Sequence, residues 1–277
     1  MAKSGLSADG VATGPLVAFV NTLSGLTREM TPSRLAVCWD GGRSDYRVAI
    51  DPDYKAHRLD ALSDTEALKH SAFALIKEFL TLSGVFHIER PGIEADDLIS
   101  YYVNLYRDAT EIVIASSDKD FLQLLQPGGL RQSIEQVRFT NAGLPEERWT
   151  AARVAQELGC APEDIPYAMA LAGDESDNVH GVPRFGMKTA VKALRQAGWS
   201  FETVLENPKV QPYREQVERN LRLVDLRMPM EDLVLQRVPA FAPTEFDSPL
   251  FEDLTEFLDR YRLKVLRQKV DLGILWR

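Results

Sequence analysis

Short apolar segments that alternate with amphipathic helices constrain the fold of this chain more than any other feature. Three segments, at 34–39, 85–89 and 111–116, are rich in β-branched or aromatic residues and end abruptly in polar ones, which is typical of buried strands. The alternation predicts an α/β domain with a parallel sheet flanked by helices, because parallel strands need long crossover connections. The predicted helices cover 15–30, 64–83 and 92–106.

The pattern changes near residue 145. Beyond it the strand-like segments fade, and helix-like segments such as WTAARVAQELGC and FEDLTEFLDRYRL follow one another. We therefore predict an α/β domain over residues 1–150 and a mainly helical region over residues 151–277. Neither part contains an internal repeat or a low-complexity tract.

Acidic residues follow the predicted strands. Asp40 ends the first strand, and Asp118 and Asp120 come just after the third. Parallel α/β sheets bind ligands at the carboxyl ends of their strands, so these side chains are expected to converge at one edge. Ionised carboxylates repel one another there unless a cation lies between them. Further acids stand at the start of the third helix and in the loop AGDESDN: Glu94, Asp96, Asp97, Asp174 and Asp177.

A cluster of this kind indicates a metal site. Mg²⁺ takes oxygen ligands, keeps several waters and works with phosphate groups. Two such ions about 4 Å apart activate a water and stabilise the leaving oxygen in phosphodiester cleavage. The simpler interpretation of each acid is structural, since an Asp after a strand is usually a turn or N-cap residue and acids at a helix start complement the dipole. The agreement of several acids on one sheet edge favours the metal site.

Composition and charge bear on where the protein is located and on what it binds. Of the 277 residues, 45% are hydrophobic, yet no apolar stretch approaches the roughly 20 residues of a membrane helix. The start, MAKSGLSADG, lacks a secretion signal, and two lone cysteines, Cys38 and Cys160, fit a reducing cytoplasm. Four histidines and no CxxC pair make a zinc site unexpected. The net charge of −9 opposes nucleic-acid binding only if the acids are spread evenly.

A family resemblance runs along the chain in order. The motifs that carry it are VCWDGG (37–42), DYKAHR (53–58), GIEADDLI (92–99), IASSDKDFLQL (114–124) and LAGDESDNVHGVPRFGMKTA (171–190). The sequence resembles the flap endonuclease and 5′-3′ exonuclease family, which includes the 5′-nuclease domain of bacterial DNA polymerase I and the phage 5′-exonucleases. The last motif is the most specific. The resemblance implies a PIN-like 5′-nuclease sheet followed by a helical DNA-binding region.

Roles for single residues follow from the resemblance by position. It implies that the eight acids named above bind two or more Mg²⁺ ions, with Mn²⁺ as an alternative. It also implies that Tyr54, Lys55 and Arg58 belong to a helical arch or gateway, where Lys55 and Arg58 stabilise the scissile phosphate. Cations near a transferring phosphate favour the charge of its transition state. The alternative for both residues is ordinary surface charge.

Residues 171–197 resemble the helix–hairpin–helix-type DNA module of the family, whose hairpin carbonyls also hold a monovalent ion such as K⁺. A Gly-rich turn before a helix presents backbone N–H groups to a phosphate without reading bases. Arg184 stands where the family commonly has Gly, so either its backbone is left-handed and strained or the turn is altered and Arg184 contacts phosphate. The candidate DNA-binding residues are Gly181, Val182, Arg184, Gly186, Lys188 and Thr189.

The start of the chain departs from the family pattern, in which an apolar strand ending in a metal-ligand Asp precedes the first helix. The segment MAKSGLSADGVATG has no strand-like run, and Asp9 has no apolar lead-in. We therefore expect the first strand and one metal ligand to be missing, unless an upstream start or another source supplies them. Without that carboxylate the site would be weakened by orders of magnitude in rate.

Together these features predict a structure-specific 5′-3′ exonuclease or flap endonuclease that hydrolyses DNA by divalent-metal catalysis in replication or repair. Its expected partners are DNA with 5′ ends, flaps or branched junctions, and RNA primers. We expect a monomer in the cytoplasm of a bacterial or phage-infected cell. One alternative is a branched-DNA-binding relative that lost efficient catalysis. Another is a PIN-type ribonuclease, which the hairpin segment and the double set of acids oppose.

Overall fold

The computed structural model describes residues 7–8, 11–58, 64–108, 111–128, 132–139, 145–231, 238 and 251–271. No helix in these ranges is long and apolar enough to span a membrane. The strands are β1 (Ser7–Ala8), β2 (Val11–Ala12), β3 (Val37–Trp39), β4 (His87–Glu89), β5 (Ile112–Ala115), β6 (Ile134–Phe139), β7 (Pro145–Trp149), β8 (Gly173–Asp174) and β9 (Val179–His180). The helices are α1 (Gly14–Met30), α2 (Asp45–Ile50), α3 (Asp64–Leu82), α4 (Ala95–Tyr106), α5 (Ala151–Leu158), α6 (Ile165–Ala172), α7 (Met187–Gln196), α8 (Phe201–Leu205), α9 (Arg214–Val224), α10 (Phe251–Arg260) and α11 (Lys264–Asp271).

The parallel strands form two small sheets. β3 pairs in parallel with β4, and β5 pairs in parallel with β6, as expected for strands joined by helical crossovers. β7 adds to β6 in the antiparallel direction. Helix α4 packs against both β3 and β5, although no backbone ladder joins these two strands within the described residues. The α/β fold predicted from the sequence is therefore confirmed, with its parallel strands divided between two sheets.

The segment before α1 contains only β1 and β2, which pair with each other in the antiparallel direction. Neither strand joins a parallel sheet in the part of the chain that the structure describes. Residues 1–6 and 9–10, including Asp9, lie outside that part. The absence of a first strand and of its metal ligand therefore stays a prediction.

Strands β6 and β7 are elements that the sequence analysis missed. In β6, the side chain of Gln136 is fully buried, which breaks the apolar alternation by which strands are recognised. Its amide is retained because the Nε2 group donates to the backbone oxygens of Ser116 (2.8 Å) and Asp118 (2.5 Å). Gln136 thereby fixes the loop that follows β5, where two of the predicted metal ligands lie.

Three apolar clusters hold the described elements together, and the smallest of them joins β4 to α4 through Ile88 and Leu98. The largest core joins β5 and β6 to the helices of the second half and includes Phe121, Leu171 and Leu194. The second core joins α1 and α3 to α10 and α11, with Phe79 at 6.1 Å from Phe257 between ring centroids. The last helices therefore pack onto the first helices of the chain. The predicted domain division at residues 150/151 stays a prediction.

Replacing Phe257 with Ala tests whether α10 supports the first half of the chain. Phe257 is 2% exposed, so the substitution removes a buried ring and leaves a cavity against α3. We expect the free energy of unfolding to fall by about 3–5 kcal/mol. Val265→Ala on α11, where the side chain is 63% exposed, should change it by less than about 0.5 kcal/mol. Equal denaturant midpoints for the two variants would contradict the packing described here.

Candidate active site

A cavity of about 280 Å³ opens beyond the carboxyl ends of β3 and β5. Acids from separate parts of the chain meet in it, because the loops after both strands and the start of α4 form its wall. Cations line it as well, so the site is mixed in charge rather than purely acidic. The lining residues are Asp40, Gly42, Arg43, Lys55, Glu94, Asp96, Asp118, Lys119, Asp120, Ser176 and Asp177.

The strand-end acids also serve as caps. The Oδ1 atom of Asp40 accepts a hydrogen bond from the N–H of Ala95 at 2.9 Å, at the start of α4. The Oδ1 atom of Asp118 accepts one from the N–H of Asp120 at 2.9 Å, at the start of the 3₁₀ turn Lys119–Leu124. Both acids line the cavity nevertheless. The structural and functional interpretations of these acids are thus compatible, because each cap contact uses a single oxygen.

The acids at the start of α4 have different positions relative to the cavity. Glu94 lines the cavity, whereas Asp97 is buried and does not. The Oδ2 atom of Asp97 lies 2.8 Å from the Nη1 atom of Arg47, which is also 3.5 Å from Glu94 Oε2. Arg47 is 1% exposed and was not among the sequence candidates. Its neighbours in the sequence give no sign of this role, because its acidic partners lie 47 and 50 positions further on.

The predicted gateway residues Tyr54 and Lys55 reach the same acids. The hydroxyl of Tyr54 donates to Glu94 Oε2 (3.0 Å) or to Asp177 Oδ2 (3.1 Å). The Lys55 ammonium lies 3.0 Å from that Glu94 oxygen and 3.5 Å from Asp177. Lys55 has a φ of 52°, a left-handed conformation that is unusual for a residue with a side chain and clusters at functional sites. The side chain of Arg58 lies outside the described residues.

Asp174, at the end of β8, and Asp177, in the loop between β8 and β9, have different surroundings. Asp174 is buried, and its Oδ1 atom accepts hydrogen bonds from the N–H and hydroxyl of Ser176. Its Oδ2 atom lies 2.9 Å from the ammonium of Lys119. Asp177 lines the cavity, whereas Asp174 does not. Lys119 and Arg43 are cations of the site that the sequence analysis did not select, although each stands within three positions of a selected Asp.

Burial and mutual repulsion act on the acids of the cavity. Burial, followed by the charge of Asp118, raises the pKa of Asp96 to about 7. Burial, with Asp118 and then Asp174, raises the pKa of Asp120 to about 7. The Oδ1 atoms of Asp97 and Asp120 are buried without a hydrogen-bond partner among the described residues. An all-oxygen set with such orphaned atoms fits a hard divalent cation.

The acids are not arranged as a finished metal site. No three acidic, histidine or cysteine side chains of the described residues are grouped closely enough to hold a metal ion. Part of the reason is that the cations Arg47, Lys55 and Lys119 already lie against four of the predicted ligands. The remaining carboxylates repel one another at close range. The eight acids therefore remain predicted metal ligands, of which six line the cavity.

The candidate DNA-binding residues surround the turn between β9 and α7. Arg184, Lys188 and Thr189 are exposed, whereas Val182 is buried and its N–H donates to the backbone oxygen of Leu171 at 2.8 Å. Gly181 packs so closely against Ala172 that a side chain there would overlap its carbonyl oxygen. Gly186 caps α7 and is exposed. The left-handed conformation considered for Arg184 is present, with a φ of 69°.

Comparison with known proteins gives the class of this fold and site. A family model described as 5′-3′ exonuclease, N-terminal resolvase-like domain, matches residues 2–159, and one described as 5′-3′ exonuclease, C-terminal SAM fold, matches residues 160–245. A 5′-3′ exonuclease of Aquifex aeolicus is 31% identical over 277 residues, covering 95% of this chain and 86% of that protein. The chain belongs to the 5′-3′ exonuclease family.

Two further relatives extend the comparison. DNA polymerase I of Streptococcus pneumoniae is 30% identical over 96% of this chain, which spans only 30% of that protein. A crystal structure of the bacteriophage T5 flap endonuclease with DNA and metal ions aligns with a TM-score of 0.67, at 21% identity, over 89% of this chain and 91% of that one. The structural likeness confirms the PIN-like α/β fold that the sequence predicted.

The raised pKa values of Asp96 and Asp120 predict how the stability of the metal-free protein depends on pH. A carboxyl whose pKa is higher in the folded than in the unfolded state stabilises the fold at low pH and loses that effect as pH rises through about 7. In EDTA, Asp120→Asn should therefore melt at a temperature closer to the wild type at pH 5 than at pH 8. At pH 8 we expect it to melt roughly 2–4 °C higher, allowing for solvent screening.

Asp253→Asn is the matched control, because it removes an exposed Asp from α10. It should shift the melting temperature little at either pH. Superimposable pH profiles for wild type and Asp120→Asn would contradict the assignment of a repelled, buried carboxyl at that position.

Proposed function

We propose that this protein is a structure-specific 5′-3′ exonuclease or flap endonuclease that hydrolyses DNA phosphodiester bonds with Mg²⁺. The observation that carries the proposal is the convergence of acids from distant parts of the chain on one cavity, in a member of this family. The same proposal includes a role in replication or repair, Mn²⁺ as an alternative metal and RNA primers as further substrates. It also includes a monomeric state and a cytoplasmic location in a bacterial or phage-infected cell.

The acids of the cavity are suited to hold divalent cations. Asp40 and Asp118 each keep an oxygen that the cap contact does not use, and Asp120 keeps a buried orphaned one. A bound pair of such ions would activate a water and stabilise the leaving oxygen of the phosphodiester. Binding would also offset the burial and the repulsion that together raise the pKa values of Asp96 and Asp120. We assign Glu94 and Asp177 to the same ligand set.

Cations in the wall allow a phosphate to approach this acidic cavity. Lys55 is held between Glu94 and Asp177, and its ammonium lies 5.0 Å from the ring centre of Tyr54. A cation fixed in this way stabilises the charge that develops on a phosphate in the transition state without first having to reorganise. We assign the same role to Arg58 by family position. Arg43 also lines the cavity, and its guanidinium donates to the backbone oxygen of Pro52.

The turn before α7 supplies the proposed contact with duplex backbone. The first N–H groups of a helix have no partner within the helix and favour a phosphate. Exposed Arg184 and Lys188 add positive charge beside them. Backbone contacts carry no sequence information, which suits an enzyme that recognises structure. The proposal includes a K⁺ ion at the hairpin, where the oxygens of His180 and Gly181 also accept hydrogen bonds from Gln216.

A second candidate function is binding to branched DNA without efficient cleavage. The observation that favours it is the occupation of Glu94, Asp97 and Asp174 by protein cations, without a preformed group of three ligands in the described residues. Such a protein would keep the hairpin contacts and the fold. It would gain nothing from added Mg²⁺ beyond ordinary screening of charge.

A cleavage assay separates the two functions. A duplex with a labelled 5′ flap is incubated with Mg²⁺ or with EDTA, and flap affinity is measured in parallel. We expect cleavage only with Mg²⁺, and Asp118→Asn should lower kcat by about 100-fold or more with little change in affinity, since charge placement supplies most of such catalysis. Asp253→Asn, at an exposed position on α10 that does not line the cavity, should cleave like the wild type.

Two outcomes would contradict the enzymatic proposal. One is flap binding by the wild type with no Mg²⁺-dependent product, which would establish the binding function instead. The other is equal cleavage by the wild type and Asp118→Asn, which would locate the chemistry elsewhere.

Substitution of Arg184 tests the hairpin contact with a matched pair. Arg184→Ala removes the charge and keeps a side chain at φ 69°, whereas Arg184→Gly also relieves the left-handed strain. Both should lower flap affinity and reduce the salt slope of binding by roughly 0.9. The free energy of unfolding of Arg184→Gly should exceed that of Arg184→Ala by roughly 0.5–1 kcal/mol, because glycine relieves the strain. Unchanged affinity and salt slope in both variants would remove Arg184 from the DNA contact.

A further inference from the structure

We propose that Arg47 is a positioning residue for cleavage, one that holds Glu94 against the cavity and fixes the start of α4 to the end of α9. The inference rests on the proposed nuclease function. Arg47 does not line the cavity, so it acts through the residues that it touches. Its importance was not visible in the sequence, since Arg47 lies between the motifs VCWDGG (37–42) and DYKAHR (53–58) and belongs to neither.

The contacts of Arg47 join three elements. From α2, its Nη1 atom lies 2.8 Å from Asp97 Oδ2 and 3.5 Å from Glu94 Oε2. Its Nε atom donates to the backbone oxygen of Leu223, near the end of α9, at 2.8 Å. Guanidinium is planar and permanently charged, so it satisfies two such partners with fixed geometry where an ammonium cannot. Arg47 is 1% exposed, which makes these contacts nearly free of competition from water.

The local sequence seats α2 so that Arg47 faces inward. The Ser44 hydroxyl caps α2 by accepting from the N–H of Arg47. The next residue, Asp45, donates its N–H to the oxygen of Gly92 at 2.9 Å, and its carboxylate occupies the space that a side chain at Gly92 would need. Gly92 also has a φ of 73°, which favours glycine. These contacts press α2 against the turn that leads into α4.

The consequence for the active site lies in the orientation of Glu94. Tyr54, Lys55 and Arg47 all contact the same oxygen of this residue, Oε2. The described residues give Oε1 no such contact, so that oxygen is left for the cavity that Glu94 lines. Asp97 is the buried partner that keeps Arg47 in place. In this arrangement, loss of Arg47 frees Glu94 to turn and weakens its alignment, as loss of an outer partner does in other metal sites.

The test uses Arg47→Lys, with Arg219→Lys as the matched control. Lysine keeps the charge but cannot reach Asp97 and Leu223 together. Arg219 also links α9 to the end of α2, through a partly exposed ion pair with the C-cap residue Asp51 at 3.7 Å. For each protein we would measure kcat and KM on a 5′-flap duplex, the Mg²⁺ midpoint of cleavage, the affinity for Mn²⁺ alone by calorimetry, and the melting temperature.

We expect Arg47→Lys to fold and to lose about 10-fold in kcat and about 10-fold in Mn²⁺ affinity, with KM for the flap within about 2-fold of the wild type. The Mg²⁺ midpoint should rise in parallel. Arg219→Lys should match the wild type in every measurement. Arg47→Met, which leaves two buried acids without their cation, should melt about 10 °C lower and is used for stability alone.

Several results would overturn the role of Arg47: wild-type Mn²⁺ affinity in Arg47→Lys, a loss confined to KM, or failure of Arg47→Lys to fold, since a positioning role leaves the fold intact. Failure of the wild type to cleave would instead overturn the proposed function. The calorimetric comparison of Arg47→Lys with Arg219→Lys then decides the role of Arg47 by itself.

Discussion

Repulsion among the carboxylates in and beside the cavity is the constraint on which the rest of this structure depends. Buried acids that lie close together destabilise the fold unless cations lie against them. The protein supplies three of these from separate elements: Arg47 from α2, Lys55 from the segment that follows it, and Lys119 from the loop after β5. Because each cation binds acids of another element, the contacts that neutralise the charge also hold the elements of the site together.

The distribution of charge also reconciles an acidic protein with the proposed DNA substrate. A net charge of −9 would repel phosphate if it were uniform. Here the exposed cation Arg184 lies at the turn before α7 and the exposed Lys188 in the first turn of α7. Most of the predicted metal-ligand acids line a cavity that already contains cations. In the proposed function, the turn before α7 attracts the DNA backbone and the cavity positions the phosphate that is cleaved. The second core packs α10 onto α3 and joins the last helices to the first helices of the chain.

The sequence predicts those parts of the fold and site that depend on local pattern. The strands that end near Asp40 and Asp118 were recognisable because apolar runs stop abruptly at polar residues. A left-handed Arg184 was one of two alternatives that the sequence left open, and the structure has it. β6 was missed because Gln136 is buried for its hydrogen bonds rather than for an apolar surface. Arg47 was missed because its partners lie 47, 50 and 176 positions away, and no local pattern reports such contacts.

The two acids Glu94 and Asp97 at the start of α4 have different roles, so the number of acids in a motif does not by itself indicate a metal site. Glu94 and Asp97 stand three residues apart, yet one lines the cavity and the other is the buried partner of Arg47. Asp174, likewise, is held by Lys119 outside the cavity lining. Acids such as these are needed to balance protein cations whether or not metal binds, since removing one partner of a buried pair is strongly destabilising. Retention of all eight acids therefore does not by itself argue for catalysis. The acids that line the cavity and keep an uncommitted oxygen carry that argument.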